Sequence, residues 1–331
     1  MHQSARLIPA LMVGALLLGG CEEPKPEPMP EPKPAPVMVK TPASQEQLTA
    51  VESFRKGTSD LLNELATCST ELLAKGNQFL EQTDQAMLDA LKAQWHTCFN
   101  QYQASTVLLA ASPEQHAILA EARSRLGNPL TMPGFIDSVE EYPYSGIVND
   151  ASLPLDAETL RQQHGITDEA EVSIGFDVVG FLLWGEQRQK PELPPRAVTD
   201  YEIAANWDDS ATELPIEEHP NNRRRRLLAL TLEILAADCQ ALLGSWQSGA
   251  LPDSQEAFTE WRQNQLQALV DGLSQQPENP VLREHLINWI RNQVIPGVEL
   301  GELKEDAKPE ELQQLLSGAA PVQTPATTGP G

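Results

Sequence analysis

The chain has 331 residues, with 47 acidic against 23 basic side chains and a net charge of −24 at pH 7. A surface this acidic repels nucleic acid phosphates and anionic lipid headgroups, so neither is expected as a partner. It attracts cations only diffusely, as any well-solvated acidic face does.

The first twenty residues read as a secretory signal: Arg6, an apolar run from Leu7 to Leu18, then small residues and Cys21. The run falls short of the about 20 apolar residues that a membrane span needs. Leu18-Gly19-Gly20-Cys21 resembles the bacterial lipobox. That resemblance implies cleavage before Cys21, with lipid on its sulfur and new amino group. The alternative is an ordinary signal peptide with an incidental cysteine. Residue 22 is Glu rather than the Asp that retains lipoproteins at the inner membrane, so the expected location is the periplasmic face of the outer membrane. Residues 21–43 carry proline at nearly every second position. This pattern forbids a helix and favours polyproline II, a semi-rigid stalk of about 60 Å at full stretch. Residues 317–331, small and rich in Pro and Gly, are expected to be disordered.

Between these ends, residues 44–316 are patterned as helices. In the segment from Ser44 to Leu80, Leu61, Leu65, Cys68, Leu72 and Phe79 recur at three- and four-residue steps. Thr83 or Asp84 can cap the next helix, whose apolar stripe is Leu88, Leu91, Trp95, Cys98, Phe99 and Tyr102. Cys68 and Cys98 stand about equally far on either side of the turn at Glu81–Thr83 and come level in an antiparallel pair, which makes a disulfide geometrically possible. Cys239 is then a buried free thiol. Ser112-Pro113-Glu114 reads as the cap of a third helix running to about Leu126. The loop-rich stretch from Gly127 to Asp156 is long enough to suggest function. A short helix follows at Asp156–His164, and Asp168-Glu169-Ala170-Glu171 reads as a capping box for the next one.

That next helix carries SIGFDVVGFLLWG, Ser173 to Gly185, apolar nearly all round and so buried. Ser173, Asp177, Gly180 and Trp184 share one small, polar stripe that could floor a cavity. A carboxylate buried there is costly unless it is paired, hydrogen-bonded or protonated. Residues 190–222 are rich in Pro and acids and mark the expected boundary between two helical bundles. Asn222 then caps a helix opening with Arg223–Arg226, and shorter helices follow. Strand-like alternation is scarce, so the fold class is all-α.

Several segments together resemble the imelysin-like family, once grouped with the M75 peptidases. GFDVVGFLLWG resembles the family's GFHAIEFLLWG-type signature. FIDSVEEYPYSGIVND, LDALKAQWHTCFNQYQ and RRRRLLALTLEILAADCQALLGSW resemble its acidic loop, its helix with a central Trp and its leucine-rich helix, in that order. The resemblance implies two helical bundles with a cleft between them, a periplasmic or lipid-anchored setting, and links to iron acquisition in several members. It also implies a metal site at Gly-x-His-x-x-Glu. Here Gly175 matches, but Asp177 stands at the His position and Gly180 at the Glu position. Asp can bind a hard cation through oxygen; Gly180 supplies no ligand. The family's later C-terminal signature is absent, so the second bundle is expected to be shortened.

The leading expectation is a non-enzymatic, lipid-anchored protein. It would bind a ligand or partner in the cleft through Gly175, Asp177, Gly180, Trp184, Glu140 and Tyr142, within iron or metal uptake. A second reading has Asp177 hold iron or another divalent cation together with Glu140 or Glu141. A third, metallopeptidase activity, lacks both the water-activating metal site and the base it needs. His96, His116, His164, His219 and His285 are scattered and form no ligand pair. For Arg223–Arg226, two readings stay open: neutralisation by the preceding acids, or one arginine reaching Asp177.

Overall fold

The computed structural model describes residues 41–110, 116–128, 132–207, 212–247, 254–261, 264 and 279–281. All lie in the unit Lys40–Gly331. Cys21, the signal, most of the proline-rich segment, the Ser112-Pro113-Glu114 cap, His285 and the tail fall outside the described residues. So does nearly all of the chain beyond Trp261, where the shortened second bundle is expected.

The described residues are all-helical. The α-helices are α1 (Gln45–Glu81), α2 (Gln85–Ala110), α3 (His116–Leu126), α4 (Ala157–Gln163), α5 (Phe176–Trp184) and α6 (Pro220–Gln247). Side-chain caps set three of their starts. Ser44 and Gln47 form a reciprocal capping box at the start of α1. Asp84 accepts from the Met87 N–H at 2.9 Å to open α2, and Asp156 accepts from the Thr159 N–H at 2.8 Å to open α4.

α1 packs along both α2 and α6, and α6 also packs against α3 and α5. The stripe read from the sequence of α1 is buried throughout, as are Leu88, Leu91, Trp95, Cys98 and Tyr102 of α2. These side chains belong to one continuous core that also takes in Phe176 to Leu183 of α5 and the inner face of α6. Cys68 and Cys98 form a disulfide with Cα atoms 5.5 Å apart, tying α1 to α2. Cys239 is a buried free thiol, pushed up to about 12 by burial.

Two expected caps are corrected. Asp168 to Glu171 do not open a helix: Asp168 accepts from the Ala170 N–H at 2.8 Å, and the Thr167 hydroxyl donates to the Glu171 carboxylate. That closes a local turn, and α5 starts only at Phe176. Nor does Asn222 cap α6, which begins at Pro220, a residue suited to a first helical position. Asn222 instead clamps the preceding loop, accepting from the Ala204 N–H and donating to the Ala204 and Ile216 carbonyls. The segment 190–222 holds two 3-10 turns, Val198–Tyr201 and Ile216–Glu218. Tyr201 is fully buried and donates its hydroxyl to the Leu182 carbonyl at 2.6 Å.

His164, just after α4, links three segments. Its Nδ1 accepts from the Ser173 N–H at 3.3 Å and its Nε2 lies 3.2 Å from the Ser124 carbonyl. One ring nitrogen accepts while the other donates, which is the neutral imidazole.

Two outcomes follow from this frame. The Cys68→Ser/Cys98→Ser variant closes no loop across a separation of 30 residues, and its urea unfolding free energy should fall by about 3–4 kcal/mol. The second concerns pH. Burial, the largest influence, lowers the His164 ring below its ordinary 6.5, and the Ser124 hydrogen bond only partly opposes it. The unfolded chain then binds more protons than the folded one, so stability present above about pH 6.5 is lost as the pH falls toward the lowered value. Urea midpoints measured across this window should fall with acidity, and less steeply in His164→Gln.

Candidate functional site

The site is built around the N-terminus of α5. Gly175 precedes it with φ +96°, where a Cβ would lie 2.7 Å from the Leu126 carbonyl oxygen. Only glycine allows both this backbone conformation and this close approach to the end of α3. Trp95 of α2 donates its indole N–H to the Phe176 carbonyl at 3.0 Å. Tyr102 stacks on the Phe176 ring at 5.0 Å, and Phe99 stacks on Trp95 at 4.4 Å. One side of the site is therefore a fixed aromatic wall.

Asp177 sits in the first turn of α5, where the helix dipole favours a carboxylate. Its cationic partner is Arg188, from the 3-10 turn Gly185–Arg188, with Nη2 at 2.7 Å from Oδ1. The two side chains are 23% and 16% exposed, so the pair is partly sheltered but reachable. Burial pushes the Asp177 carboxyl above its ordinary 3.8, and Arg188 offsets only part of that. The guanidinium lies 4.3 Å above the Trp95 ring and 5.1 Å from that of Phe99.

Gly180 makes this arrangement possible. A Cβ there would stand 2.9 Å from Arg188 Nε and 3.0 Å from Trp95 Cζ2. The space that a side chain at 180 would need is filled by the arginine and the indole. One turn on, half-buried Trp184 meets Trp95 at 5.2 Å and His96 at 5.0 Å, and Lys92 Nζ stands 5.4 Å from its ring centre. Asp177, Gly180 and Trp184 thus come together as their spacing implies. Ser173 does not join them. It precedes the helix, fully buried, with its hydroxyl donating to the Leu160 carbonyl at 2.6 Å.

Glu140 and Tyr142 belong to a separate feature. Both are exposed. The Glu140 N–H donates to the Glu186 carboxylate at 2.7 Å, and Glu186 pairs with Lys190. Arg188, rather than Glu140 or Glu141, is the group bonded to Asp177. Tyr142 and Tyr144, with Met132, Phe135 and Leu153, line an open groove of about 710 Å³ on the loop 132–153. Among the described residues no three His, Cys, Asp or Glu side chains cluster closely enough to hold a metal ion. At Asp177 itself, a guanidinium stands where a bound cation would be needed. The described residues at this turn therefore do not fit a metal.

The arginine run serves this loop. Asp137, 0% exposed, accepts from Arg224 Nε at 2.5 Å and Nη2 at 3.1 Å, and from the Ser138 N–H at 2.7 Å, with Arg196 Nη1 at 3.1 Å. Burial pushes its carboxyl up, but Arg196 and Arg224 outweigh burial and hold it below the ordinary 3.8. Arg223 donates to the Val148, Ile147 and Leu153 carbonyls and pairs with Glu218. Arg225 donates to Thr83 and to the Tyr201 and Leu80 carbonyls. Neither Arg223 nor Arg226, which is exposed, is bonded to Asp177, so that expectation is corrected. Glu218 is one of the preceding acids expected to neutralise the run; Asp137, from a distant loop, was not anticipated. Arg188 was also missed. Its only sequence signal is that it is the first cation after the apolar α5 segment.

The described residues form helices and no strands, with an ion pair at Gly175-x-Asp177-x-x-Gly180, and comparison supplies the family. The family model for imelysin, peptidase M75, matches residues 60–284, more than half of the chain, and the protein belongs to that family. No curated protein matches it.

The two carboxylates respond differently to neutralisation. Asp177→Asn removes a charge that burial disfavours and keeps an oxygen for Arg188, so its unfolding free energy should stay within about 1 kcal/mol of the parent. Asp137→Asn leaves Arg196 and Arg224 buried against a neutral group and should cost about 3–5 kcal/mol. Chemical denaturation of both variants measures the contrast.

Proposed function

We propose that this imelysin-family protein is a lipid-anchored, non-enzymatic binding protein on the periplasmic face of the outer membrane. It binds a ligand or partner at the surface around Asp177, Arg188 and Trp184. The lipobox-like Leu18–Cys21 and the proline-rich segment after it support the anchor and its stalk. The single observation that carries the rest is Arg188. Its guanidinium pairs with Asp177 and occupies the room left open at Gly180. Where the family pattern implies a His and a Glu for a metal, this chain holds a resident cation of its own. A second, metallic cation beside it would be repelled and would find one shared carboxylate. Peptidase chemistry of the metal-dependent kind has no support here, because no three described His, Cys, Asp or Glu side chains cluster to hold the metal that would activate water. A role within iron uptake is then one of partnership with other components, rather than of holding iron at this turn.

Isothermal titration of the purified full chain with Fe²⁺, Fe³⁺, Zn²⁺ and Cu²⁺, beside Asp177→Ala, tests this reading. The expected result is no binding that depends on Asp177. Affinity of about micromolar strength or tighter, lost in Asp177→Ala, would restore the metal site and sink the proposal.

A further inference from the structure

Three nitrogen-bearing side chains gather at two abutting indoles, Trp95 and Trp184, in an otherwise acidic protein. Lys92 and His96 lie one turn apart on α2 and both meet Trp184. Arg188 reaches the same place from the turn after α5, over Trp95, whose ring abuts Trp184 at 5.2 Å. Several buried or half-buried cations elsewhere are claimed: Arg161 by Asp238, Arg196 and Arg224 by Asp137, Arg223 by Glu218. Lys92 and His96, by contrast, have no hydrogen bond or ion pair to another described residue. Arg188 has five N–H donors and spends one, on a single oxygen of Asp177.

We infer that this cluster is a binding site for a small organic monocarboxylate with a flat apolar body. The carboxylate is held by the remaining donors of Arg188 and by Lys92, and the body lies against Trp184. The inference rests on the reading that no metal occupies the turn.

Four features select this ligand class. The planar guanidinium fork matches a carboxylate, and Asp177 fixes its orientation in advance. With His96 neutral, the two cations Arg188 and Lys92 are partly offset, by the bonded Asp177 and by the field of Asp89. That suits a monoanion; a dianion would meet Asp177 at close range with too little positive charge to offset it. The Trp184 face is half-buried and offers an apolar shelf beside the charge. Finally, Lys92 is partly desolvated without a bonded carboxylate: burial lowers its ammonium, with only the Coulomb field of Asp89 opposing. A bound anion relieves that penalty.

The test is calorimetric titration of the full chain with benzoate, acetate and inorganic phosphate, each with and without a chelator, and with Arg188→Ala, Lys92→Met and Trp184→Leu as variants. Lys92 is not in the core, so Lys92→Met reports on the site even if Arg188→Ala loosens the fold. The expected result is saturable benzoate binding at about millimolar Kd or tighter, unchanged by chelator. It should weaken about tenfold in Lys92→Met, by at least as much in Arg188→Ala, and in Trp184→Leu toward the weaker affinity of acetate. Flat benzoate traces, equal binding in parent and Lys92→Met, or phosphate binding as tightly as benzoate would each overturn the inference while leaving the metal-free reading intact. Benzoate binding abolished by the chelator would instead overturn the metal-free reading itself.

Discussion

The fold turns on one carboxylate that has no access to water. Asp137 is wholly enclosed, and three N–H groups of Arg224 and Ser138 point at it, with Arg196 beside them. An isolated charge in that position would be untenable; two guanidinium groups make it the better-favoured form. Because Arg224 belongs to α6, Arg196 to the 190–222 segment and Asp137 to the 132–153 loop, this cluster joins three parts of the chain that no regular secondary structure connects. Arg223, next in line, holds the same loop through three backbone carbonyls. A loop of this length would otherwise leave buried carbonyls without donors. Four arginines at the start of α6 oppose its dipole, so their presence needs a compensating return. The return is that a long, irregular loop is fixed tightly enough to present Tyr142 and Tyr144 to solvent.

This rigidity reaches the α5 turn indirectly. Tyr201, whose backbone carbonyl receives Arg225, sends its hydroxyl to the Leu182 carbonyl of α5. The Glu140 N–H of the loop meets Glu186, two residues before Arg188 in the same 3-10 turn. The guanidinium that pairs with Asp177 is thus carried on a turn braced from the loop side, while Trp95 braces α5 from the α2 side. A binding surface gains most when its charged group is held before the ligand arrives, since side-chain ordering is then not charged against binding.

How much of this was legible in the sequence depended on range. Helical periodicity is local, and the stripes of α1 and α2 emerge buried as read, with Cys68 and Cys98 level across the turn. The apolar circumference of α5 with one carboxylate inside it was likewise legible, and α5 is buried as read. The partner of that carboxylate was not. Arg188 lies in GEQRQK, a polar run with no pattern of its own, and only the chain reversal after Trp184 brings it back over Gly180. The Asp137 cluster was hidden for the same reason, since its arginines are 59 and 87 positions away in the chain. Asp168 to Glu171 failed differently: the residues that cap helices also close turns, and their spacing alone cannot separate the two outcomes.

Asp177, Gly180 and Arg188 make sense as one arrangement rather than as three separate features. With a side chain at 180, Arg188 Nε and the Trp95 ring would both be met at about 3 Å, so the arginine could not lie where it does. With histidine at 177, the arginine would lose the carboxylate that orients it. With Gly180 but no Arg188, Asp177 would keep its desolvation and lose its counter-charge. Asp177, Gly180 and Arg188 therefore form one packed set at this turn. The geometry describes a turn built around a permanent guanidinium, held by Asp177 and seated over the Trp95 ring.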